Sequence, residues 1–415
     1  MILRNLGIRH FRSLYDAELS LKPLTIVIGP NASGKTNLFK ALRFLHVAVA
    51  GDIKDWTAYG AQLDDLLWYG RSASGGPRPD DLQFATGFGT CASSNLFNEY
   101  RIRFQVIGSI RISEENLGER DPVRGNRNLI LRSGDEIRFP EGWPVSPLFN
   151  PSDTPFLQMP VVARSRQSLT LRELGPGIRE PLAVRDVYQN IAGWRFFDID
   201  PRLARQSHFI NPDPEEVPPL ESDASNLSAF LYALRRLRPD DLDVVIEAVL
   251  RSIELPQDVL IEHDAQRGGH QAQYRFIEAP FGEDRPIPPE SLSDGTIRFL
   301  AQMALLLADH TVSLACLEEP DAGLHPRLMI HLADALRQAI QVKTPDGAER
   351  QILVTTHSPE LMDCFDLESE ADYLQVYVAE RDETGQTRFI PASAQELAPW
   401  LEKYRLGEAV RRRFV

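Results

Sequence analysis

The sequence predicts an α/β fold: a mixed, mostly parallel sheet with an antiparallel β-subdomain and a helical insertion. Three observations predict it. A buried strand, a glycine-rich loop and a helix follow one another directly near the N-terminus. From about residue 258 short buried strands again alternate with helical patterns, as in a parallel sheet whose faces are covered. Between these ends, Pro- and Gly-rich loops separate an alternating strand pair from two amphipathic helices.

Taken in order, "MILRNLGIRHFRSLYDAELSLKPLTIVIGP" reads as short strands ending in a buried one, Leu24–Ile28. "TNLFKALRFL" places Leu38, Ala41, Leu42 and Leu45 at helical spacing. "SGGPRPDD", "FPEGWPVSPLFNPSDTP" and "NPDPEEVPPLESD" read as loops, and "NEYRIRFQVIGSIRI" alternates like a half-exposed strand pair. "SNLSAFLYALRRL" and "DDLDVVIEAVLRSI" read as paired helices. "VLIEHDAQRGGHQAQYRFIEA" reads as two strands around a glycine turn, and "TIRFLAQMALLLAD" as a helix apolar nearly all round, hence buried. "TVSLACLEEP" is a short buried strand running into acids. "PRLMIHLADALRQAI" has proline at the first helical position, and "QILVTTHSPEL" is a buried strand followed by a turn.

Composition narrows the function class. The chain has 415 residues, 43% hydrophobic and 25% charged, enough for two compact units or one large α/β unit with an inserted subdomain, and for an ordinary core. A formal net charge of −14 argues against a surface that binds nucleic acid everywhere, though it leaves room for a local basic face. The basic clusters "DPRLARQS" (Arg202, Arg205), "ARSRQS" (Arg164, Arg166) and "RRRF" (Arg411–Arg413) read as solvated surface or as partners of the acidic excess. Cys91, Cys316 and Cys364 have no metal or disulfide spacing, which suits a reducing cytosol. The N-terminus carries charges where a secretory leader needs an apolar run, and no stretch reaches the ~18 apolar residues of a membrane span. A cytoplasmic location and no membrane partner are expected.

The chemistry sits in four motifs. "GPNASGKT", Gly29–Thr36, fits the phosphate-loop pattern: glycines let backbone N–H groups close on phosphates, Lys35 reaches the terminal ones, and the Thr36 hydroxyl binds Mg²⁺. "LSDGT", Leu292–Thr296, is a small polar cluster opening a buried helix, which suits a second anion. "LACLEEP" brings Glu318 and Glu319 to the carboxyl end of a buried strand, the edge where open α/β sheets bind ligands. One acid beside Mg²⁺ and a second able to orient or deprotonate water suit nucleotide hydrolysis. "ILVTTHSP" puts His357 at the next strand end, where it could hydrogen-bond a terminal phosphate. His325 and His331 read as ordinary loop and helix-flank histidines. Asp198 and Asp200 in "DID" lack a strand-borne Glu-Gly partner for a nuclease site.

Phosphate loop, "LSDGT", acid pair and strand-end histidine, in this order, resemble the ABC-type ATPase superfamily. Within it they look most like the cytosolic RecF/SMC/OLD-like branch, without a Toprim domain. The likeness covers "IRHFRSLYDAELSLKPLTIVIGPNASGKTNLFKAL", "SLSDGTIRFLAQMALLL", "CLEEPDAGLHP", "VTTHSPELMD" and the tail "WLEKYRLGEAVRRRF". It implies an ABC-type head with an N-terminal lobe over 1–180, a helical lid over 181–257 and a C-terminal lobe over 258–415. It implies ATP and Mg²⁺ as cofactors, with Gly29, Pro30, Asn31, Ala32, Ser33, Gly34, Lys35, Thr36 and Asn37 around the phosphates and Thr36 and Glu318 on the metal. Glu319 matches the catalytic glutamate and His357 the switch histidine. Arg12 and Ser13 match an N-terminal motif near the nucleotide.

The likeness also explains a second anion site. In such ATPases the signature motif, here with Ser293, Asp294 and Gly295, binds the γ-phosphate held by another subunit, and Asp321 matches a loop crossing that interface. An ATP-dependent homodimer or higher even oligomer is therefore implied. Asp294 and Thr296 depart from the usual glycine and glutamine, and Glu318 stands where most relatives have aspartate. Gln167 is the candidate for the glutamine loop. The expected role is an ATPase acting as sensor or regulator in phage defence or DNA maintenance with a separate effector protein, and nucleic acid as a further possible partner. The alternatives are the nucleotide-binding subunit of a transporter and an ATPase-regulated nuclease. The chain ends soon after "THSP", so no appended metal-acid domain is expected.

Overall fold

The computed structural model describes residues 1–51, 53, 65–68, 70, 78–89, 97–121, 125–139, 161–162, 167–174, 182–266, 269–279, 285–344 and 347–393. Arg164, Arg166, Cys91 and the tail quoted above lie outside them. The chain divides into two compact units, Met1–Trp194 with Asp372–Ala392, and Arg195–Ala371. Asp372–Ala392, which the sequence reading assigns to the C-terminal lobe, thus packs with the N-terminal residues.

The strands run in chain order as follows. First come β1 (Ile2–Phe11), β2 (Leu14–Ser20), β3 (Leu24–Ile28), β4 (Asp81–Gly89), β5 (Phe97–Val106) and β6 (Ile110–Asp121). Next are β7 (Gly125–Ser133), β8 (Glu136–Arg138), β9 (Val161–Val162), β10 (Trp194–Phe197), β11 (His208–Ile210) and β12 (Pro256–Gln266). Then follow β13 (Gly269–Glu278), β14 (Leu314–Glu318), β15 (Gln351–Thr356), β16 (Leu374–Arg381) and β17 (Thr387–Pro391).

In the first unit an antiparallel sheet runs β2-β1-β4-β5-β6-β7-β8-β9. This is the antiparallel subdomain expected from sequence, but it also claims β1 and β2, which the sequence reading treats only as leading to β3. The pattern explains the split. β5 buries Tyr100, Ile102, Phe104 and Val106 and exposes Arg101, Arg103 and Gln105, the alternation of a sheet with one wet face. β3, by contrast, buries all five residues of "LTIVI", pairs parallel with β16, and β16 pairs antiparallel with β17.

Helix Lys35–Ala50 buries its apolar face, part of it against the antiparallel sheet. Its Phe44 ring stacks on Phe84 of β4 at 5.8 Å and meets Phe104 of β5 edge-on at 5.3 Å, two favoured aromatic geometries. A buried carboxylate completes this core. Glu115 accepts from the Tyr100 hydroxyl at 2.8 Å and from the Thr170 and Leu171 N–H groups at 2.7 and 2.9 Å. Those bonds satisfy the N–H groups opening the short helix Thr170–Leu174. They also pin it to β6. Burial and the nearby Glu115 carboxylate push the Tyr100 hydroxyl well above its usual range.

In the second unit β14 and β15 pair in parallel, both buried apart from half-buried Glu318. A small antiparallel sheet runs β11-β13-β12. Helices Leu227–Leu237 and Pro239–Ser252 follow one another as the spacing predicts, the second opening one residue earlier than read, with Pro239 at its first position. Helix Asp294–Ala308 is buried over most of its length. Its last carbonyls are answered by the fully buried Arg350, whose Nη1 and Nη2 donate to Leu306 O and Leu305 O at 2.7 and 2.9 Å. A cation there suits the negative end of the helix dipole. Pro326 opens a 3-10 turn, Pro326–Leu328, and the α-helix proper is Met329–Ala339, so the expected first turn is the tighter kind.

Candidate functional site

The first unit carries the phosphate loop. β3 ends at Ile28 and helix Lys35–Ala50 begins at the end of the glycine loop, its start left without a side-chain cap. The positive end of a helix dipole, opened by a glycine loop, favours an anion. Asn31, Ala32 and Thr36 are exposed, while Ser33 and Lys35 are buried. Lys35 Nζ donates to the carbonyls of Gly29 at 2.7 Å and Pro30 at 3.0 Å, bridging the loop from within.

The loop is braced from behind by residues far away in sequence. Asn37 Nδ2 donates to Ser13 Oγ at 2.7 Å, and Ser13 Oγ lies 2.7 Å from Thr387 Oγ1. Thr387 Oγ1 donates to the Ser33 carbonyl at 2.8 Å, and its N–H donates to Ser13 O at 2.8 Å. The proton inventory fixes the direction: Asn37 donates to Ser13, Ser13 to Thr387, and Thr387 to the loop. Ser13 and Thr387 are fully buried. Sequence reasoning singles out Ser13 as near the nucleotide and misses Thr387 altogether. Arg12, beside them, is half-buried at φ 51 with its N–H on Leu66 O at 2.9 Å.

The glycines are dictated by this bracing. A Cβ on Gly29 would stand 2.5 Å from Ala379 O, and one on Gly34 would stand 2.0 Å from Thr387 Oγ1. Gly34 also sits at φ 105, a conformation costly for residues with a Cβ. Removing only the Thr387 hydroxyl should therefore loosen the loop without breaking the fold. Thr387→Val is expected to weaken nucleotide binding about five- to thirtyfold, the worth of one or two kcal/mol. Thr387→Ser should keep affinity near that of the unaltered chain. Titration with a fluorescent ATP analogue checks both.

The second unit carries the acids, the histidine and the second anion motif. Glu318 closes β14, half-buried. Glu319 follows at φ 44, with its N–H still on Thr355 O at 2.9 Å, so the chain turns sharply just past the strand end. A non-glycine residue held there stores of order 1–3 kcal/mol of strain, a feature that clusters at functional sites. The turn presents the Glu319 carboxylate to His357, whose Nδ1 lies 3.4 Å from Oε1, with the side chains 34% and 37% exposed. Asp321 is buried, and burial pushes its carboxyl up against the opposing bond from Thr356. It thus faces Thr356 at the end of β15.

Ser293 caps helix Asp294–Ala308, accepting from Thr296 N at 3.1 Å, and is exposed with Asp294. Gly295 is pressed on the loop after β14: a Cβ there would meet Gly323 O at 2.7 Å. Asp294 is paired with Arg205. Asp200, one of the "DID" acids, is the N-cap of the short helix Pro201–Ala204 and accepts from Arg202. Gln167 is half-buried in the turn before Thr170–Leu174. Among the described residues no group of three or more His, Cys, Asp or Glu could hold a metal, and no helix is long and apolar enough to cross a membrane.

The first unit thus carries a phosphate loop, and the second an acid pair, a strand-end histidine and a serine-capped helix start. Comparison with known proteins points to ATPase domains. The family profile described as "AAA ATPase domain" matches residues 1–58, and that described as "AAA domain, putative AbiEii toxin, Type IV TA system" matches residues 179–363. The chain is similar to the DNA replication and repair protein RecF of Synechococcus sp., 50% identical over 46 residues, 11% of this chain and 12% of that protein. It is similar to the OLD nuclease of Thermus scotoductus, 40% identical over 52 residues, 12% of this chain and 9% of that one. The matches therefore span only about a tenth of either relative. Among solved structures, an SMC head bound to the C-winged helix domain of ScpA has the same fold, with TM-score 0.53 and 13% identity over 96% of this chain and 100% of that one. The chain thus has the fold of an SMC head and carries sequence similar to AAA ATPase domains, with short stretches similar to RecF and OLD nuclease.

Proposed function

We propose that this chain binds Mg-ATP, hydrolyses it, and does so in a pocket that a second copy of the chain completes. The observation carrying the reading is the Glu319–His357 pair, held at adjacent strand ends by a strained turn. Glu319 would take the proton of the attacking water, and His357 would hydrogen-bond the terminal phosphate and hold the carboxylate in place. Exposed Thr36 and half-buried Glu318 are each oxygen donors of the kind a hard cation such as Mg²⁺ takes. When bound, that ion would neutralise phosphate charge. Exposed Ser293, at the start of a long buried helix, would meet the triphosphate held by the second copy. Asp321, turned inward, would couple that contact to β15 and His357.

The wider role proposed is that of a sensor or regulator in phage defence or DNA maintenance, acting on a separate effector protein. The toxin–antitoxin description of one matching profile and the partial likeness to RecF and OLD nuclease support it. Steady-state turnover with the unaltered chain and Lys35→Ala tests the enzymatic part. The unaltered chain should release phosphate from Mg-ATP, and Lys35→Ala should lose at least about tenfold in affinity because two or three charge-assisted contacts go with it. An unaltered chain that neither binds nor turns over ATP would refute the proposal. Recovery of a co-purifying effector tests the regulatory part.

A further inference from the structure

The cluster "DPRLARQS" reads from sequence as solvated surface, yet the fold brings it to the start of helix Asp294–Ala308. Arg205 Nη2 donates to the Asp294 carboxylate. Its Nε donates to Pro201 O at 3.1 Å, so the guanidinium is fixed at both ends, and its side chain is only 23% exposed against 69% for Asp294. Arg202 is engaged elsewhere, gripping Asp200 from Nη2 at 2.7 Å and Nε at 3.1 Å.

Asp294 is the awkward member of this motif. It places a carboxylate next to Ser293, where a polyanion is to sit, and like charges facing each other in a closing, water-poor interface repel strongly. The backbone has no room to relieve this by retreating, because Gly295 already lies against Gly323 O. Charge compensation is the remaining route.

We infer that Arg205 is a positioning residue that neutralises Asp294, so that this aspartate-bearing helix start accepts the terminal phosphates of an ATP held by a second copy of the chain. The inference rests on the dimeric reading above and adds to it a cation outside the motif. Arg205 acts through Asp294 and not by touching phosphate. Its loss matters only while residue 294 is charged.

A double-mutant cycle tests this. Turnover is measured for the unaltered chain, Arg205→Ala, Asp294→Asn and the double variant, and ATP-dependent mass is measured for the same set in a Glu319→Gln background. Arg205→Ala is expected to lower kcat/KM about ten- to hundredfold, while in the Asp294→Asn chain the same change costs less than about threefold. Arg205→Lys, which keeps the charge but lacks the Nε bond to Pro201, should retain most of the turnover, and its melting temperature guards against a variant that simply unfolds. The inference is overturned if Arg205→Ala turns over like the unaltered chain, if Arg205→Ala costs as much in the Asp294→Asn chain as in the unaltered one, or if Asp294→Asn alone abolishes turnover. An unaltered chain with turnover but an indifferent Arg205→Ala defeats this inference alone. An unaltered chain that neither turns over nor assembles with ATP defeats the dimeric reading and the inference with it.

Discussion

Glu319→Gln is expected to cut ATP turnover by about two to four orders of magnitude while leaving nucleotide binding intact, the usual worth of a positioned general base. Glutamine has the same length and shape, so the turn at φ 44 and the N–H bond to Thr355 O are kept. What is lost is the capacity to take a proton. His357 still faces residue 319, now across an amide in place of a carboxylate 3.4 Å away. A structural role for Glu319 would show instead as a fall in melting temperature with turnover reduced in proportion. A kinetic assay beside a thermal melt separates the two, and turnover that survives the change undiminished contradicts the assignment.

Gly34→Ala is expected to be the most damaging single-methyl change in the first unit. The new Cβ would stand 2.0 Å from Thr387 Oγ1 and 2.9 Å from Ser13 Oγ, inside a network in which both hydroxyl protons are already committed. Alanine would also have to adopt φ 105. The backbone term is roughly 1–2 kcal/mol and the overpacking term a further 1–3, so a loss of about 3 kcal/mol is expected. Since the displaced partner is the brace of the phosphate loop, ATP affinity should fall at least about tenfold alongside stability. Thermal melts and analogue titration read the two effects. Unchanged affinity would show that the brace does not set loop geometry.

The parts of this molecule that were legible in the sequence are those whose signal is local. The phosphate loop needs its residues at fixed spacing between a buried strand and a helix, and "GPNASGKT" carries all of it in one short run. The acid pair and His357 are legible for the same reason, each standing at the end of a short run with an apolar core that forms β14 or β15. What stayed hidden depends on distant pairing. Thr387 reaches the loop through Ser33, 354 positions away, and nothing in "GQTRFIP" marks it as different from any strand threonine. Arg205 meets Asp294 across 89 positions, so the arginine reads as solvated surface and the aspartate as an unanswered charge until the fold joins them.

One sequence reading was changed by the same kind of distance. β1 alternates buried and exposed residues, which shows that it has one wet face but not which strand lies beside it. Its partner β4 begins only at Asp81, far along the chain. The burial of Asp321 against Thr356, at the end of β15, was likewise not readable from its own motif. "DID" proved to be helix-capping chemistry: Asp200 satisfies the Arg202 N–H at 2.9 Å and grips its guanidinium. A short acid-Pro-x-x pattern of this kind is a helix start before it is a metal site.

The central claim is that ATP draws two copies of this chain together, each lending the start of its Ser293 helix to the other's phosphates. Light scattering on Glu319→Gln, with and without Mg-ATP, is the most direct test, because a chain that binds but cannot hydrolyse should hold the closed state. The account predicts a mass that doubles on adding Mg-ATP and returns on its removal. A mass that stays at that of one chain under saturating Mg-ATP, with binding confirmed in the same sample, would contradict it.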